Sequence, residues 1–205
     1  MSLPNIRYIF ARALSKRPAA VRGTKIDSRA AVGDGAVLIN SSVGRYSYVY
    51  GSSLIETEMG SFCSVGSGCV VGGGRHPTNW VSSSPVFYNK GNVLKKNFSN
   101  QRFDEYVKTV IGNDVWIGSR VFVKGGVTIG HGAIIGMGSV VTHDIPPYEI
   151  WAGNPAHCIR KRFDEDTIKK LLELRWWDWD EEKLKKYGDY FCDPKELLKQ
   201  LENET

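Results

Sequence analysis

Long apolar runs are missing from this sequence. Nowhere in its 205 residues is there the stretch of roughly 18 to 20 apolar residues that a membrane-spanning helix needs. Arg7 and Arg12 interrupt the apolar positions near the N-terminus, which argues against a secretory leader and makes a cytoplasmic protein the expectation. Cysteine is sparse too. The four, Cys63, Cys69, Cys158 and Cys192, are too few and too scattered for a disulfide framework or a zinc motif. Histidine is confined to His76, His131, His143 and His157, without the local spacing that gathers imidazoles on a metal, so no metal is expected. The net charge of +5 is spread along the chain rather than clustered on a nucleic-acid motif. It fits a solvated basic surface suited to an anionic cofactor, not a nucleic-acid partner.

What the sequence does have is a period. Between Thr109 and Thr142 the large aliphatic residues Ile111, Ile117, Val123, Ile129, Ile135 and Val141 stand at steps of six. Val115, Val121, Val127, Ala133 and Ser139 follow four places later in each unit, a second column of smaller side chains. Six is a multiple of two but not of 3.6, so both columns can face one way along extended chain and not along a helix. Gly112, Gly118, Gly130 and Gly136 sit where such a chain turns a corner. The reading is a β-solenoid whose stacked coils pair backbone to backbone and fill their interior with the two columns.

The same period runs earlier through Ile26, Val32 and Leu38, slips by one, resumes at Val43 and Val49 with Ser47 and Ser53 as small partners, and slips again before Met59, Val65 and Val71. Loops bulging from corners would produce such slips. Cys63 and Cys69 take the small inward position, where a free thiol packs as a small hydrophobe. Tyr46, Tyr48 and Tyr50 alternate, which places them on one side of an extended segment. Ahead of the solenoid, residues 4–16 pattern as an amphipathic helix with a basic face, and residues 1–23 form an N-terminal segment that docks on the solenoid or a second subunit and is also compatible with a membrane surface. From 73 to 108 the period disappears, which marks an excursion from the solenoid domain of residues 24–162. Loops of that length within a domain are usually functional. Residues 163–205 read as a helical extension: Asp164, Asp180 and Asp193 stand at helix starts, Pro194 at a first helical position, and the apolar side suggests a cover for the open end of the solenoid.

Units such as Ile111-Gly-Asn-Asp-Val-Trp and Ile129-Gly-His-Gly-Ala-Ile resemble those of the hexapeptide-repeat acyltransferases. The resemblance implies a mainly β fold, a left-handed parallel β-helix, assembled as a homotrimer with active sites between subunits and using acetyl-CoA. Ala152-Gly-Asn-Pro-Ala and Arg175-Trp-Trp-Asp-Trp are similar to the xenobiotic acetyltransferase branch. Within that branch, Gly74-Arg-His-Pro matches the turn that carries the catalytic histidine. His76 is therefore the implied general base, a role that an imidazole titrating near neutrality suits. The resemblance further implies cofactor contacts at Ser119, Met137, Thr142 and Arg160, and at His143, where the family has lysine. Antibiotic-modifying members carry His-Arg-Met where this chain has His76-Pro-Thr, and the run through Phe87 looks more like relatives that acetylate surface polysaccharide sugars.

The expectation is an acetyl-CoA-dependent O-acetyltransferase acting on a sugar or glycan precursor. Asn79, Trp80 and Tyr88 are its candidate acceptor contacts, since aromatic faces stack on sugar rings and amides reach hydroxyls. The alternative is an antibiotic O-acetyltransferase of the chloramphenicol or streptogramin type. Two further rivals are a zinc-dependent carbonic anhydrase on a similar solenoid, which needs three converging histidines, and a non-catalytic solenoid scaffold.

Overall fold

A computed structural model describes residues 18–203. The N-terminal helix expected over 4–16 lies outside the described residues. The rest is a three-sided parallel solenoid followed by a helical tail. One face stacks the strands Ala20–Arg22, Val37–Ile39, Ser53–Ile55, Val70–Gly72, Phe122–Val123 and Val140–Val141. The second stacks Lys25–Ile26, Ser42–Val43, Thr57–Met59, Thr109–Ile111 and Thr128–Ile129, and the third runs from Ala31–Gly33 through Tyr48–Tyr50, Ser64–Val65, Trp116–Ile117 and Ile134–Ile135. Every pair between coils is parallel, with Leu38, Leu54 and Val71 in register on the first face. The solenoid already includes Ala20–Arg22, ahead of residue 24. At its far end the third face continues into an antiparallel hairpin, Glu149–Gly153 with Ala156–Lys161, which ends the parallel stacking.

The inward columns fill the prism. Leu38, Val49, Leu54, Val71, Ile117, Ile129, Ile135 and Val141 are all at 0% exposure, and the small column alongside them includes Ala36, Cys63, Cys69, Val121 and Ala133. Each fully buried aliphatic contributes about 1.5 to 3 kcal/mol. The thiols pack as small hydrophobes with weak contacts to the Gly112 and Gly118 carbonyl oxygens. Burial pushes the Cys63 thiol up to about 12. Polar members of the column satisfy themselves on the next coil: Ser47 donates to the Gly60 carbonyl and accepts from the Cys63 amide, and Ser52 does the same with Gly66 and Cys69.

Three early expectations are corrected by the corners. Ser52, not Ser53, is the buried small partner on the first face, because Leu54 and not residue 55 turns inward. The slips are not bulges. They are corners one residue tighter, where Asn40 (φ 49°) and Glu56 (φ 51°) make the turn in the left-handed region. Tyr46 also belongs to a corner (φ 57°), so it does not share a side with Tyr48 and Tyr50, which point outward from the third face. Left-handed residues cost free energy in L-amino acids. Here they stack as columns whose amides bond to the coil before: Tyr46 to Arg29, Phe62 to Arg45, Asp114 to Ser61, Gly132 to Asn113 and Tyr148 to His131.

The tail holds three helices, α1 (Glu165–Leu174), α2 (Glu181–Tyr187) and α3 (Pro194–Glu202), each begun by an aspartate that accepts amide hydrogens: Asp164 from Thr167, Asp180 from Lys183, Asp193 from Lys195 and Glu196. It does not cover the open end of the solenoid. It lies along the corner between the second and third faces, on that last column of left-handed residues. Trp176 packs on Phe62, Trp177 stacks on His131 with centroids 4.5 Å apart, Arg162 pairs with Asp114 at 3.1 Å, and Arg45 donates to the carbonyls of Trp177 and Trp179. The tail's apolar side, expected to close an end, instead packs Trp176 and Trp177 on the prism's flank and gathers Trp179, Tyr187 and Leu197 into the same cluster with Leu172, Leu184 and Leu201 of the tail. No helix among the described residues is long and apolar enough to cross a membrane.

Candidate active site

The excursion leaves the first face after Gly72 and rejoins the second at Thr109, in the place that Glu56 alone fills one coil earlier. The solenoid therefore keeps its register across the interruption. Gly72 must be glycine, since its φ is +74° and a Cβ there would lie 2.1 Å from the Ile55 carbonyl oxygen. The next amide, Gly73, donates to that same oxygen at 3.2 Å. Arg75 then ties the outgoing segment to the returning one, its amide donating to the Glu105 carbonyl at 2.8 Å and its Nε to the Asp104 carbonyl at 2.9 Å. His76 follows these anchors and is exposed.

Within the excursion the only regular element is a short 3-10 turn, Pro85–Phe87. Order comes instead from side chains that satisfy backbone groups, as loops of this kind require. Asn89 bonds both backbone groups of Phe103, and Asn92 bonds the carbonyls of Pro85 and Lys96. A ring cluster packs beneath: Trp80 meets Tyr88 edge-on at 5.8 Å and Phe103 at 5.9 Å, and Tyr88 meets Phe103 at 5.5 Å. Tyr88 is fully buried. Its hydroxyl lies 2.6 Å from His76 Nδ1 and 3.4 Å from the Ser83 carbonyl oxygen.

These positions revise the expected acceptor contacts. Tyr88 has no exposed surface with which to stack on a sugar, because its ring is the centre of the cluster and its hydroxyl is engaged with His76. Trp80 is half-buried in the same cluster, with two of its edges taken by Tyr88 and Phe103. Asn79 is exposed beside them. Nothing in the period-free sequence separated an inward tyrosine from an outward one; the one legible signal was its place in an aromatic-rich stretch.

The residues implied as cofactor contacts fall in three places. Ser119 and Met137 lie on adjacent coils at the corner between the third and first faces, where the Gly138 amide donates to the Ser119 carbonyl at 2.9 Å. Glycines line that corner. A Cβ on Gly118 would meet the Met137 amide nitrogen at 2.6 Å, whereas one on Gly138 would meet nothing within 4 Å, so the groove is open on its outer side. Met137 is 81% exposed, unusual for an apolar side chain at a tight corner. Thr142 and His143 follow the last strand of the first face, with Thr142 Oγ1 2.9 Å from His143 Nδ1. They stand at the opposite edge of that face, on the corner from which the excursion departs. Arg160 is apart from both groups: it faces Ile150 in the terminal hairpin and donates to the Lys161 carbonyl. Among the described residues, no group of three or more His, Cys, Asp or Glu could hold a metal ion.

Comparison with known proteins supplies the class to which this parallel β-helix with its histidine-bearing excursion belongs. The family described as bacterial transferase hexapeptide (six repeats) matches residues 108–143. A chloramphenicol acetyltransferase of Escherichia coli is 41% identical over 175 residues, covering 75% of this chain and 82% of the relative. A probable macrolide acetyltransferase of Lysinibacillus sphaericus is 37% identical over 128 residues, covering 62% and 71%. The chain belongs to the hexapeptide-repeat acetyltransferases and is an acyltransferase. A solved galactoside acetyltransferase in complex with coenzyme A aligns at 26% identity and a TM-score of 0.46, over 81% of this chain and 76% of that one.

Proposed function

We propose that the protein transfers an acetyl group from acetyl-CoA to a hydroxyl, with His76 as general base. Nε2 takes the hydroxyl proton as the oxygen attacks the thioester carbonyl carbon. Collapse of the tetrahedral adduct breaks the C–S bond, and the imidazolium returns its proton to the departing sulfur, leaving an ester and the CoA thiol. The observation that carries the reading is an exposed imidazole with one nitrogen held by a buried hydroxyl at 2.6 Å, at the root of a pinned excursion.

The open corner at Ser119 and Met137 suits the narrow pantetheine arm, and Thr142 with His143 lies at the edge nearer the excursion. Arg160 is exposed and would reach a phosphate only at the far end of the cofactor, where a guanidinium can fork onto its oxygens. Tyr48, Tyr50 and Trp116 are exposed on the third face and Val70 and Phe122 on the first, so apolar side chains flank that corner on both sides. This supports a homotrimer in which a second subunit covers them and completes the cofactor groove, working in the cytoplasm where acetyl-CoA is available. Light scattering that found an active monomer would contradict it.

For the acceptor, the names of the relatives support the antibiotic alternative over the sugar. A hydroxylated xenobiotic of the chloramphenicol type is the first reading. A sugar hydroxyl is the second, favoured by the run His76-Pro-Thr-Asn-Trp and the exposed Asn79. A thiol-release assay with acetyl-CoA against chloramphenicol, a streptogramin and a panel of sugars separates them by which arm turns over. Replacing His76 by alanine should lower kcat by about 10² to 10⁴ and leave acetyl-CoA binding intact. Near-full turnover by that variant would remove His76 from the mechanism.

A further inference from the structure

We infer that Tyr88 is the positioning residue for His76: it accepts the Nδ1 hydrogen, gives its own hydrogen to the Ser83 carbonyl, and so holds the imidazole in the tautomer whose Nε2 lone pair is open. This rests on the general-base reading of His76.

What each group can do limits the two bonds to one of two arrangements. A carbonyl oxygen only accepts, and a phenol has one hydrogen to give. If that hydrogen goes to Ser83 at 3.4 Å, the contact of 2.6 Å to Nδ1 is made by an N–H of the ring, and Nε2 carries the lone pair. The reverse assignment, with the phenol donating to Nδ1, would place the ring's hydrogen on Nε2 and block the base. Burial and then the Glu105 carboxylate hold the Tyr88 phenol above its ordinary range, so it stays protonated and able to donate.

The arrangement also has the energetic direction that catalysis needs. When Nε2 accepts the acceptor's proton, the ring becomes an imidazolium, and Nδ1–H to the phenol oxygen becomes a charge-assisted bond, shorter and stronger than the neutral one. An interaction that strengthens as charge develops lowers the barrier rather than only the ground state. Tyr88 is fixed for this task. Its ring is buried between Trp80 and Phe103, its amide donates to the Pro85 carbonyl at 3.3 Å, and its carbonyl accepts from Asn97 Nδ2 at 3.3 Å.

The test uses the full chain with ring-15N-labelled histidine, with the His76 signals assigned by their loss in H76A. At a pH above its titration, wild-type His76 should show a protonated Nδ1 and an unprotonated Nε2. Tyr88→Phe keeps the ring that packs on Trp80 and Phe103. It should reverse the tautomer, lower kcat for the best acceptor by about 10- to 100-fold, less than loss of a charged partner costs a hydrolytic triad, and leave KM for acetyl-CoA within about twofold. A wild-type signal with the hydrogen on Nε2 overturns the proposal, and so does a Y88F enzyme with unchanged tautomer and kcat. If Y88F fails to fold, the wild-type tautomer alone decides. Full turnover by H76A would sink the general-base reading, while the tautomers of wild type and Y88F would still decide whether Tyr88 sets the ring.

Discussion

Gly72→Ala is the substitution that most directly joins backbone geometry to turnover. The new Cβ would stand 2.1 Å from the Ile55 carbonyl oxygen and 2.9 Å from Thr57 Oγ1. The first distance is about 1.3 Å short of ordinary contact, and the obstacle is backbone in the middle of a sheet, which cannot swing aside. The residue also keeps a φ of +74°, worth about 1 to 3 kcal/mol for a residue with a side chain. Moving the Ile55 carbonyl strains the bonds it accepts from the Gly73 amide and Thr57 Oγ1, at about 1 kcal/mol for one lost bond. A total near 2 to 4 kcal/mol should lower Tm by roughly 5 to 15 °C in a chain of this size. Because His76 hangs from this root, a shift of about 1 Å should also reduce kcat by about 10²-fold. Gly73→Ala is the control: its φ is +110°, but a Cβ there meets nothing within 4 Å, so it carries conformational cost without collision. Calorimetry and the thiol-release assay on both variants check the argument. A G72A protein with wild-type Tm and turnover would refute it, as would a G73A protein that loses as much of both.

Two further outcomes follow from groups the reaction does not use. Ellman's reagent should titrate the exposed Cys158 and Cys192 in the folded protein and reach Cys63 and Cys69 only in denaturant, since both are buried inside the prism and the Cys63 thiol, held up near 12, also supplies no thiolate at neutral pH; four reactive thiols under native conditions would contradict the packing. His131 should make the docked tail acid-sensitive: its Nδ1 accepts from the Asn113 amide at 2.8 Å, and burial, then the Arg175 charge, lower its titration, with Asp178 opposing. A histidine depressed on folding gives stability that is complete above its unfolded value, about 6.5, and is lost as pH falls below it. Tm should therefore drop between pH 7 and pH 5 by more in the wild type than in His131→Asn, and equal slopes would remove His131 as a source.

Much of the fold was legible because a solenoid is one-dimensional. A step of six fixes which side chain faces in, so the columns from Ile111 to Val141, the place of Cys63 and Cys69 and the limits of the excursion could all be read by counting. Helix starts at Asp164, Asp180 and Asp193 were equally readable, since capping is settled by a residue and its next three neighbours. Counting failed at corners. A left-handed corner such as Asn40, Gly51 or Glu56 shortens the step without altering the composition, and the one at Gly51, between Val49 and Leu54, turns Ser52 inward in place of Ser53. It failed again wherever contacts join segments far apart in the chain. The tail's preference for the flank over the end depends on Phe62, Asp114 and Gly132 forming one column with His131 beside it, and no local pattern announces a column built from three coils.

The same distinction explains how the candidate site is built. His76 could be singled out from the turn Gly74-Arg-His-Pro, but the group that meets its Nδ1 is the hydroxyl of a tyrosine twelve residues on, in a stretch with no period to say which way it points. The solenoid supplies the rigidity: Val70–Gly72 and Thr109–Ile111 stay in register with the coils on either side, so the excursion enters and leaves through fixed points. Its interior then needs only local closure, by Arg75 across the root and by Asn89 and Asn92 on carbonyls. The length between those anchors is free to vary without disturbing the ladder, because the coil beneath closes the same corner with Glu56 alone. Under the proposed function, acceptor preference would change by altering the excursion's rim, at positions such as Asn79 and Val81, while the Tyr88–His76 pair and the open corner at Ser119 and Met137 stay where the prism holds them.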